Sequence, residues 1–167
     1  MRLLFMVAIT LLMSIFYSIA DEPLSSPSTY TFFSENGKIE IISDSNTNKT
    51  IAFTNENQKT SKLWEIPGWH RSIFISNDGK YCIIGYEGQN LLPLNYDGNE
   101  IVFSIYLNGI VTKKVYFNEI IKNRKKLQRT SSHYYWGYIE KFENNIIFLN
   151  TVEGFIKYDV SKFAYID

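Results

Sequence analysis

The sequence contains one cysteine, two histidines and four alanines, and each shortage excludes a class of structure. A single cysteine, Cys82, cannot form an internal disulfide, and with only two histidines beside it the chain lacks the ligands of an ordinary zinc site. We therefore expect no metal and no cofactor. Alanine is the strongest helix former, and its scarcity beside a 16% aromatic content favours β-sheet.

Neither sign of charge is in excess. Seventeen Lys and Arg balance seventeen Asp and Glu, so the formal net charge is zero. No overall field draws the chain to nucleic acid, and we expect no nucleic-acid partner. The basic run at 122–129 is interpreted as a solvated surface, with an anionic partner surface as the alternative.

The first twenty residues have the layout of a secretory signal peptide. Met1-Arg2 precedes an apolar run to Tyr17, and Ser18-Ile19-Ala20 offers small residues at a cleavage site. We expect cleavage after Ala20 and a secreted or periplasmic protein with no integral membrane segment. An uncleaved anchor is the alternative, because Leu3 to Ala20 approaches the length of a membrane span.

The remaining chain is predicted to be a flexible Pro/Ser-rich leader at 21–29 followed by a single β domain at 30–167. Short apolar runs separated by Asn, Asp and Gly indicate antiparallel meanders, and one basic segment at 118–127 has the spacing of a short surface helix with Asn118 as its N-cap. Turn dipeptides that accept positive φ are Asn36-Gly37, Asp78-Gly79, Asp97-Gly98, Asn108-Gly109 and Glu153-Gly154. The predicted strands are Tyr30–Phe33, Ile39–Ser43, Thr50–Thr54, Leu63–Ile66, Ser72–Ile75, Tyr81–Tyr86, Ile101–Leu107, Val111–Phe117, Tyr134–Phe142, Ile146–Asn150 and Phe155–Val160.

The chain contains an internal repeat. Residues 32–42 align with residues 74–84, an offset of 42 residues (76 minus 34), and a degenerate third copy begins at Lys141. Periods of this length are typical of propeller blades. Cys82 falls in the second copy, inside an apolar run, and is interpreted as a buried small hydrophobe.

The second copy, from Ser76 to Ile84, resembles the inner hairpin of secreted and periplasmic WD-repeat-like β-propellers. Together with Trp69-His70-Arg71-Ser72 and the run from Ser131 to Trp136, it is similar to uncharacterised exported bacterial proteins with such blade motifs. The resemblance implies about three blades and carries no functional residues. Since known rings begin at about four blades, it implies an incomplete propeller or a curled open sheet.

Five residues are candidates for a binding site: Trp69, His70, Arg71, His133 and Trp136. An imidazole and a guanidinium beside indole rings are suited to a carboxylate or a sugar ring, or these residues form a packed connection between blades. Trp136 is either core or part of an aromatic platform. Ser132 precedes His133, and neighbours in a strand point to opposite faces, so we expect their side chains not to meet.

Two functions remain open. The first is a non-enzymatic binding or interaction module of the cell envelope or secreted fraction, with an unknown protein or envelope partner or with a second copy bound through free sheet edges. The alternative is a small extracytoplasmic hydrolase using His70 or His133 as general base. No catalytic set is evident in the sequence, so we expect the first.

Overall fold

The computed structural model describes residues 23–56 and 59–166. The predicted signal peptide, residues 1–20, and its cleavage point lie outside them. The described residues form fifteen strands, one short α-helix and one 3-10 turn, and every strand pair is antiparallel. The prediction of an all-β protein with a short helix is confirmed.

The first sheet is a meander of four consecutive strands in the order β1-β2-β3-β4. Its strands are β1 (Tyr30–Phe33), β2 (Ile39–Asp44), β3 (Lys49–Glu56) and β4 (Lys59–Pro67). Successive side chains of β2 alternate between buried and half-buried, which is the period of a strand with one face in a core.

The second sheet has the order β5-β6-β8-β9. Its strands are β5 (Ile73–Ile75), β6 (Tyr81–Gly85), β8 (Ile101–Leu107) and β9 (Ile110–Tyr116). A short strand, β7 (Leu91–Pro93), lies in the connection from β6 to β8 and pairs outside this sheet. Four successive residues of β6 are buried, so both faces of the second sheet are covered.

The third sheet is again a meander, in the order β12-β13-β14-β15, and a small sheet of order β10-β11-β7 precedes it. The segment from the second sheet forms α1 (Phe117–Ile120), a 3-10 turn (Arg124–Lys126), β10 (Gln128–Arg129) and β11 (His133–Tyr135). The third sheet consists of β12 (Gly137–Glu143), β13 (Ile146–Thr151), β14 (Gly154–Asp159) and β15 (Ala164–Ile166).

The second sheet is the middle layer of the molecule. Cys82 and Ile84 point from β6 into a core shared with Ile41 and Trp64 of the first sheet. Ile83, between them, points the other way into a larger core that includes residues of the third sheet. Because side chains alternate along a strand, one apolar run supplies both cores.

The three large sheets follow one another as blades do. Strand β5, the first of the second sheet, contacts β1 on one side and β12 on the other, and these are the first strands of their own sheets. Three four-stranded meanders with neighbouring first strands agree with the predicted count of about three blade-like units.

The two aligned copies of the repeat form the same turn. The Ser34 hydroxyl donates to Asn36 Oδ1 at 2.8 Å and accepts from the Ile39 N–H at 3.0 Å. In the second copy the Ser76 hydroxyl donates to Asp78 Oδ1 at 2.7 Å and accepts from the Tyr81 N–H at 2.9 Å. The repeat is therefore a structural motif in which serine and the Asn or Asp two residues later close a hairpin.

The third copy departs from this turn. Asn144 and Asn145 both have positive φ, of 50° and 62°, and connect β12 directly to β13. Two consecutive residues in this region make the tight two-residue hairpin that suits the twist of paired strands. The degenerate copy thus keeps the place of the hairpin in its sheet and loses the serine network.

Several sequence predictions need correction. The single strand predicted at Tyr134–Phe142 is divided at Trp136, where the chain changes partner: its N–H donates to the Asn90 carbonyl in the register of β11 with β7, and its carbonyl accepts from the Val152 N–H in the register of β12 with β13. The turn at Asp97-Gly98 joins β7 to β8, which are not paired, so it is not a hairpin.

The predicted helix at 118–127 is shorter and begins one residue earlier. Its N-cap is Tyr116, whose N–H donates to the Glu119 carboxylate at 3.0 Å, and Asn118 lies inside α1. At Ile121 the backbone becomes extended, and the N–H groups of Lys122 and Asn123 donate to the Glu153 carboxylate. These bonds take the place of helical ones and end the helix.

Candidate functional site

The loop from β4 to β5 brings three of the candidate binding residues together. Trp69 packs on Tyr30, with ring centroids 5.6 Å apart, and the Arg71 guanidinium lies 5.0 Å from the centre of the Trp69 ring. The backbone N–H of His70 donates to the Ser43 hydroxyl at 2.7 Å, which fixes the loop to β2.

Glu87 joins this group from the loop after β6. Its carboxylate lies 3.0 Å from His70 Nδ1 and 3.7 Å from Arg71 Nε. The second distance is an ion contact and is too long for a hydrogen bond. The other imidazole nitrogen, His70 Nε2, is buried beside Gly68 and has no hydrogen-bond partner in the described part of the chain. His70 is thus held by Glu87 on one side and closed off on the other.

Arg71 is the most enclosed charge of the loop. Its side chain is 9% exposed, and Nη2 donates to the Ser25 carbonyl at 3.2 Å. Its Nε atom is buried and has no hydrogen-bond partner among residues 23–56 and 59–166. Burying a guanidinium is costly unless its N–H groups and its charge are matched, and here both are matched in part.

The residues before β1 lie along the same loop. The carbonyl of Ser28 accepts a hydrogen bond of 2.5 Å from the Trp69 indole, while Ser25 accepts from Arg71. Hydrogen bonds from the Ser25 and Ser28 side chains lower the pKa of the nearby Tyr30 phenol. The segment interpreted as a leader has no regular secondary structure from Pro23 to Thr29, and these contacts place it against the candidate residues.

Trp136 meets Arg71 across a cavity of about 290 Å³ between the second and third sheets. The indole is buried, its Nε1 donates to the Gln89 carbonyl at 2.7 Å, and its ring stands edge-on to Phe117 at 4.9 Å. Trp136 is therefore core on one side and cavity wall on the other. The cavity is lined by Arg71, Ser72, Tyr86, Gln89, Asn90, Trp136, Tyr138 and Ile139.

His133 lies elsewhere, in the small sheet, opposite Pro93 of β7. Its Nδ1 is 2.9 Å from the Ser132 hydroxyl, so the prediction that these side chains do not meet is wrong. Ser132 precedes β11 and lies in a bend, and alternation does not apply to a residue outside the strand.

Sequence reasoning missed Tyr86, Gln89, Asn90 and Tyr138 as neighbours of Arg71. The loop that carries the first three is placed by the pairing of β7 with β11, a contact between segments about forty residues apart that leaves no local pattern. The φ of Gln89 is 55°, a conformation that marks a constrained loop, but a glutamine at this position gives no sign of it in the sequence. Burial raises the pKa of the Tyr86 phenol in this wall, with a smaller contribution from Glu100.

A second cavity, of about 200 Å³, lies at the opposite end of the sheets, where the first hairpins of the three sheets come together. Glu35, Asp78 and Glu143 line it with polar neighbours. Within the described ranges no cluster of His, Cys, Asp and Glu is placed to hold a metal ion. Nor does any helix in those ranges have the length and apolar character needed to cross a membrane.

No protein-family model matches this chain, and a search of curated proteins found no relative.

Proposed function

We propose that this protein is a non-enzymatic interaction module of the exported fraction, and that its partner is a second copy of the same chain bound through sheet faces. The observation that carries the proposal is the difference between Phe33 and Ile75. These residues occupy the same position in the two aligned copies, yet Phe33 is 60% exposed and Ile75 is 6% exposed. Ile75 is buried because the first sheet covers it, and Phe33 lies on the face where no such cover is present among the described residues.

The uncovered face of the first sheet keeps an apolar character. Ile42, the counterpart of the buried Ile84, lies on it beside Ile51 and Phe53 in the register of the sheet. Glu40 stands where the second copy has Cys82, so one position has become charged while its neighbours have stayed apolar. Partly exposed apolar side chains that lie together on one sheet face are typical of a surface that meets a partner.

The third sheet offers a matching face. Phe148 and Phe155 lie on its outer side with ring centroids 5.9 Å apart, and Phe155 is 53% exposed. Lys141 and Lys157 flank Phe148 in the register, whereas Phe53 on the first sheet is flanked by Glu40 of β2 and Lys62 of β4. Lys62 pairs with Glu65 and Lys141 with Glu143 within their own faces, so the match between the two faces rests on their apolar side chains.

A dimer with twofold symmetry would cover both faces at once. If the first sheet of each copy packs on the third sheet of the other, the six large sheets close a ring and every sheet has two neighbours. The sheet edges, which the sequence suggested as the route, are less suited. The outer strand β9 carries Lys113 and Lys114, and β15 has only three residues, which are features that discourage strand addition.

Light scattering coupled to size exclusion tests this proposal. We expect twice the chain mass for the purified protein, and the mass of one chain for Phe33→Ser and Phe155→Ser, since each loses about 1.5–3 kcal/mol of apolar burial at two sites. Ile110→Ser is the matched control, because Ile110 is 70% exposed at the hairpin between β8 and β9, away from both faces. A monomeric parent protein, or dissociation in the control alone, would overturn the proposal.

The hydrolase alternative has one observation in its favour, the Ser132–His133 hydrogen bond of 2.9 Å. A hydroxyl and an imidazole at this distance can act as a nucleophile and its general base. His70 is less suited, because Glu87 occupies Nδ1 and Nε2 is buried. Hydrolysis of p-nitrophenyl acetate that disappears in Ser132→Ala and His133→Gln would favour the alternative, and a rate no higher than that of free imidazole would reject it.

A further inference from the structure

We propose that Arg71 and the side chains around the 290 Å³ cavity form a binding site for a small carboxylate-bearing sugar. This inference stands apart from the proposed self-association, because the cavity lies between the second and third sheets of one chain. Its volume is at the lower end of ligand sites and suits a single sugar ring better than a larger molecule.

The charged side chains that line the cavity indicate the charge of the ligand. Arg71 is the one ionic side chain among the eight that line the cavity, and no Asp or Glu belongs to that set. Glu87 is not among the lining residues; its carboxylate lies 3.7 Å from Arg71 Nε, is 47% exposed and is already bonded to His70. A carboxylate entering the cavity would meet the positive charge of the nine-tenths-buried Arg71 side chain, whose protein partners are the Ser25 carbonyl at Nη2 and Glu87 at Nε.

The uncharged side chains that line the cavity indicate the chemistry of the rest of the ligand. Gln89 and Asn90 provide amide groups, each able to donate and to accept, as hydroxyl-rich molecules require. Tyr86, Trp136 and Tyr138 provide aromatic surface, and Tyr138 is 44% exposed at the rim. Amides next to aromatic rings suit the alternating polar edge and apolar face of a sugar ring.

The frame that carries these groups is fixed from two sides. The Trp136 indole donates to the Gln89 carbonyl at 2.7 Å, and the Trp136 N–H donates to the Asn90 carbonyl at 3.1 Å. On the opposite wall, the Gly85 N–H donates to the Ser72 carbonyl at 2.9 Å. The loop after β6 is thereby held at its β6 end to Ser72 and along its length to Trp136 at the start of the third sheet, so the site is formed before the ligand arrives and binding orders little additional chain.

Titration calorimetry with glucuronate as the probe and glucose as the neutral comparison tests the site. We expect glucuronate to bind at least tenfold more tightly than glucose, and Arg71→Gln to remove that preference. Arg129→Gln, which neutralises an exposed arginine of the small sheet, is the matched control and should bind as the parent protein does.

A second variant covers the case in which Arg71→Gln does not fold. Tyr138→Ala removes a half-exposed neutral group of the rim, so the affinities for both sugars should fall together while their ratio stays. Equal affinity for the two sugars, no heat with glucuronate at 10 mM, or a preference that Arg71→Gln leaves unchanged would overturn the inference. These results would leave the oligomeric state, and so the proposed function, untouched.

Discussion

Asn36 and Asp78 perform the same task in two hairpins 42 residues apart, and only one of them can be protonated. Each accepts the hydroxyl of the serine two residues before it and the backbone N–H of the lysine two residues after it, at 2.7–3.0 Å. The first hairpin is therefore closed by an amide and the second by a carboxylate. At this position the two turns differ only in an amide nitrogen against a carboxylate oxygen, which makes them a natural pair for comparison.

Acid should weaken the second hairpin and leave the first unchanged. Burial alone would raise the pKa of Asp78, but the hydrogen bonds from Ser76 and Lys80 outweigh it and the pKa is lowered. The bonds thus stabilise the fold above the ordinary carboxyl pKa, and this stabilisation is lost as the pH falls through the lower folded value, below about pH 4. Urea unfolding at pH 7 and pH 3 should show a smaller acid loss for Asp78→Asn than for the parent protein.

The reverse substitution is the control for this pH effect. Asn36→Asp places a carboxylate before the same two donors, the Ser34 hydroxyl and the Lys38 N–H, so it should add an acid-dependent loss that the parent protein lacks. It also removes the 3.4 Å hydrogen bond from Asn36 Nδ2 to the Asn77 carbonyl, so the comparison is made on the change with pH and not on the stability at pH 7. An equal pH response in all three proteins would contradict the role assigned to the carboxylate.

A methyl group at Gly137 should be far more costly than one at Gly154. Both residues have positive φ, of 134° and 126°, but a Cβ at Gly137 would lie 2.1 Å from the Asn150 carbonyl oxygen, and one at Gly154 meets nothing within 4 Å. We expect Gly154→Ala to lower the free energy of unfolding by about 1–2 kcal/mol through backbone strain, and Gly137→Ala by more than about 4 kcal/mol through strain and clash. Denaturant midpoints of the two variants measure the difference, and similar losses would contradict the close approach of β12 to β13.

Cys82 should be inert to thiol reagents in the folded protein. It is fully buried in the core between the first and second sheets, and burial raises the pKa of its thiol. Because only the thiolate reacts, labelling by a disulfide reagent should wait for unfolding and follow its rate. Rapid labelling in native buffer, at a rate independent of added urea, would contradict this burial.

The local features of the fold were predictable from the sequence, and the contacts that cross between sheets were not. Turn dipeptides and short β-branched runs placed most strands within two residues, because a hairpin is encoded by neighbouring residues. Strands β7, β10 and β15 were missed, since each has two or three residues and is defined by its partner alone. The break at Trp136 was missed for the same reason, because it depends on the distant carbonyl of Asn90.

In the candidate site, too, the local contacts could be predicted from the sequence and the contacts between sheets could not. The group of Trp69, His70 and Arg71 was predicted because these residues are adjacent in the chain and lie in a loop. The meeting of Arg71 with Trp136, 65 residues later, requires the second and third sheets to pack, and no spacing in the sequence encodes that distance.

The pairing of β7 with β11 ties the second sheet to the connection that leads into the third, whereas no described strand of the first sheet is hydrogen-bonded to a strand of another sheet. The first sheet is held by side-chain packing, by the loop at 68–72 and by a few turn contacts such as the one from Asn36 to Asn77, at 3.0 Å. We therefore expect two cooperative units in native-state amide exchange, with residues 30–67 opening first and at a lower free energy than the remainder. We therefore expect inserted sequences to be tolerated best within residues 30–67, because this part of the chain can unfold reversibly while the remainder stays folded.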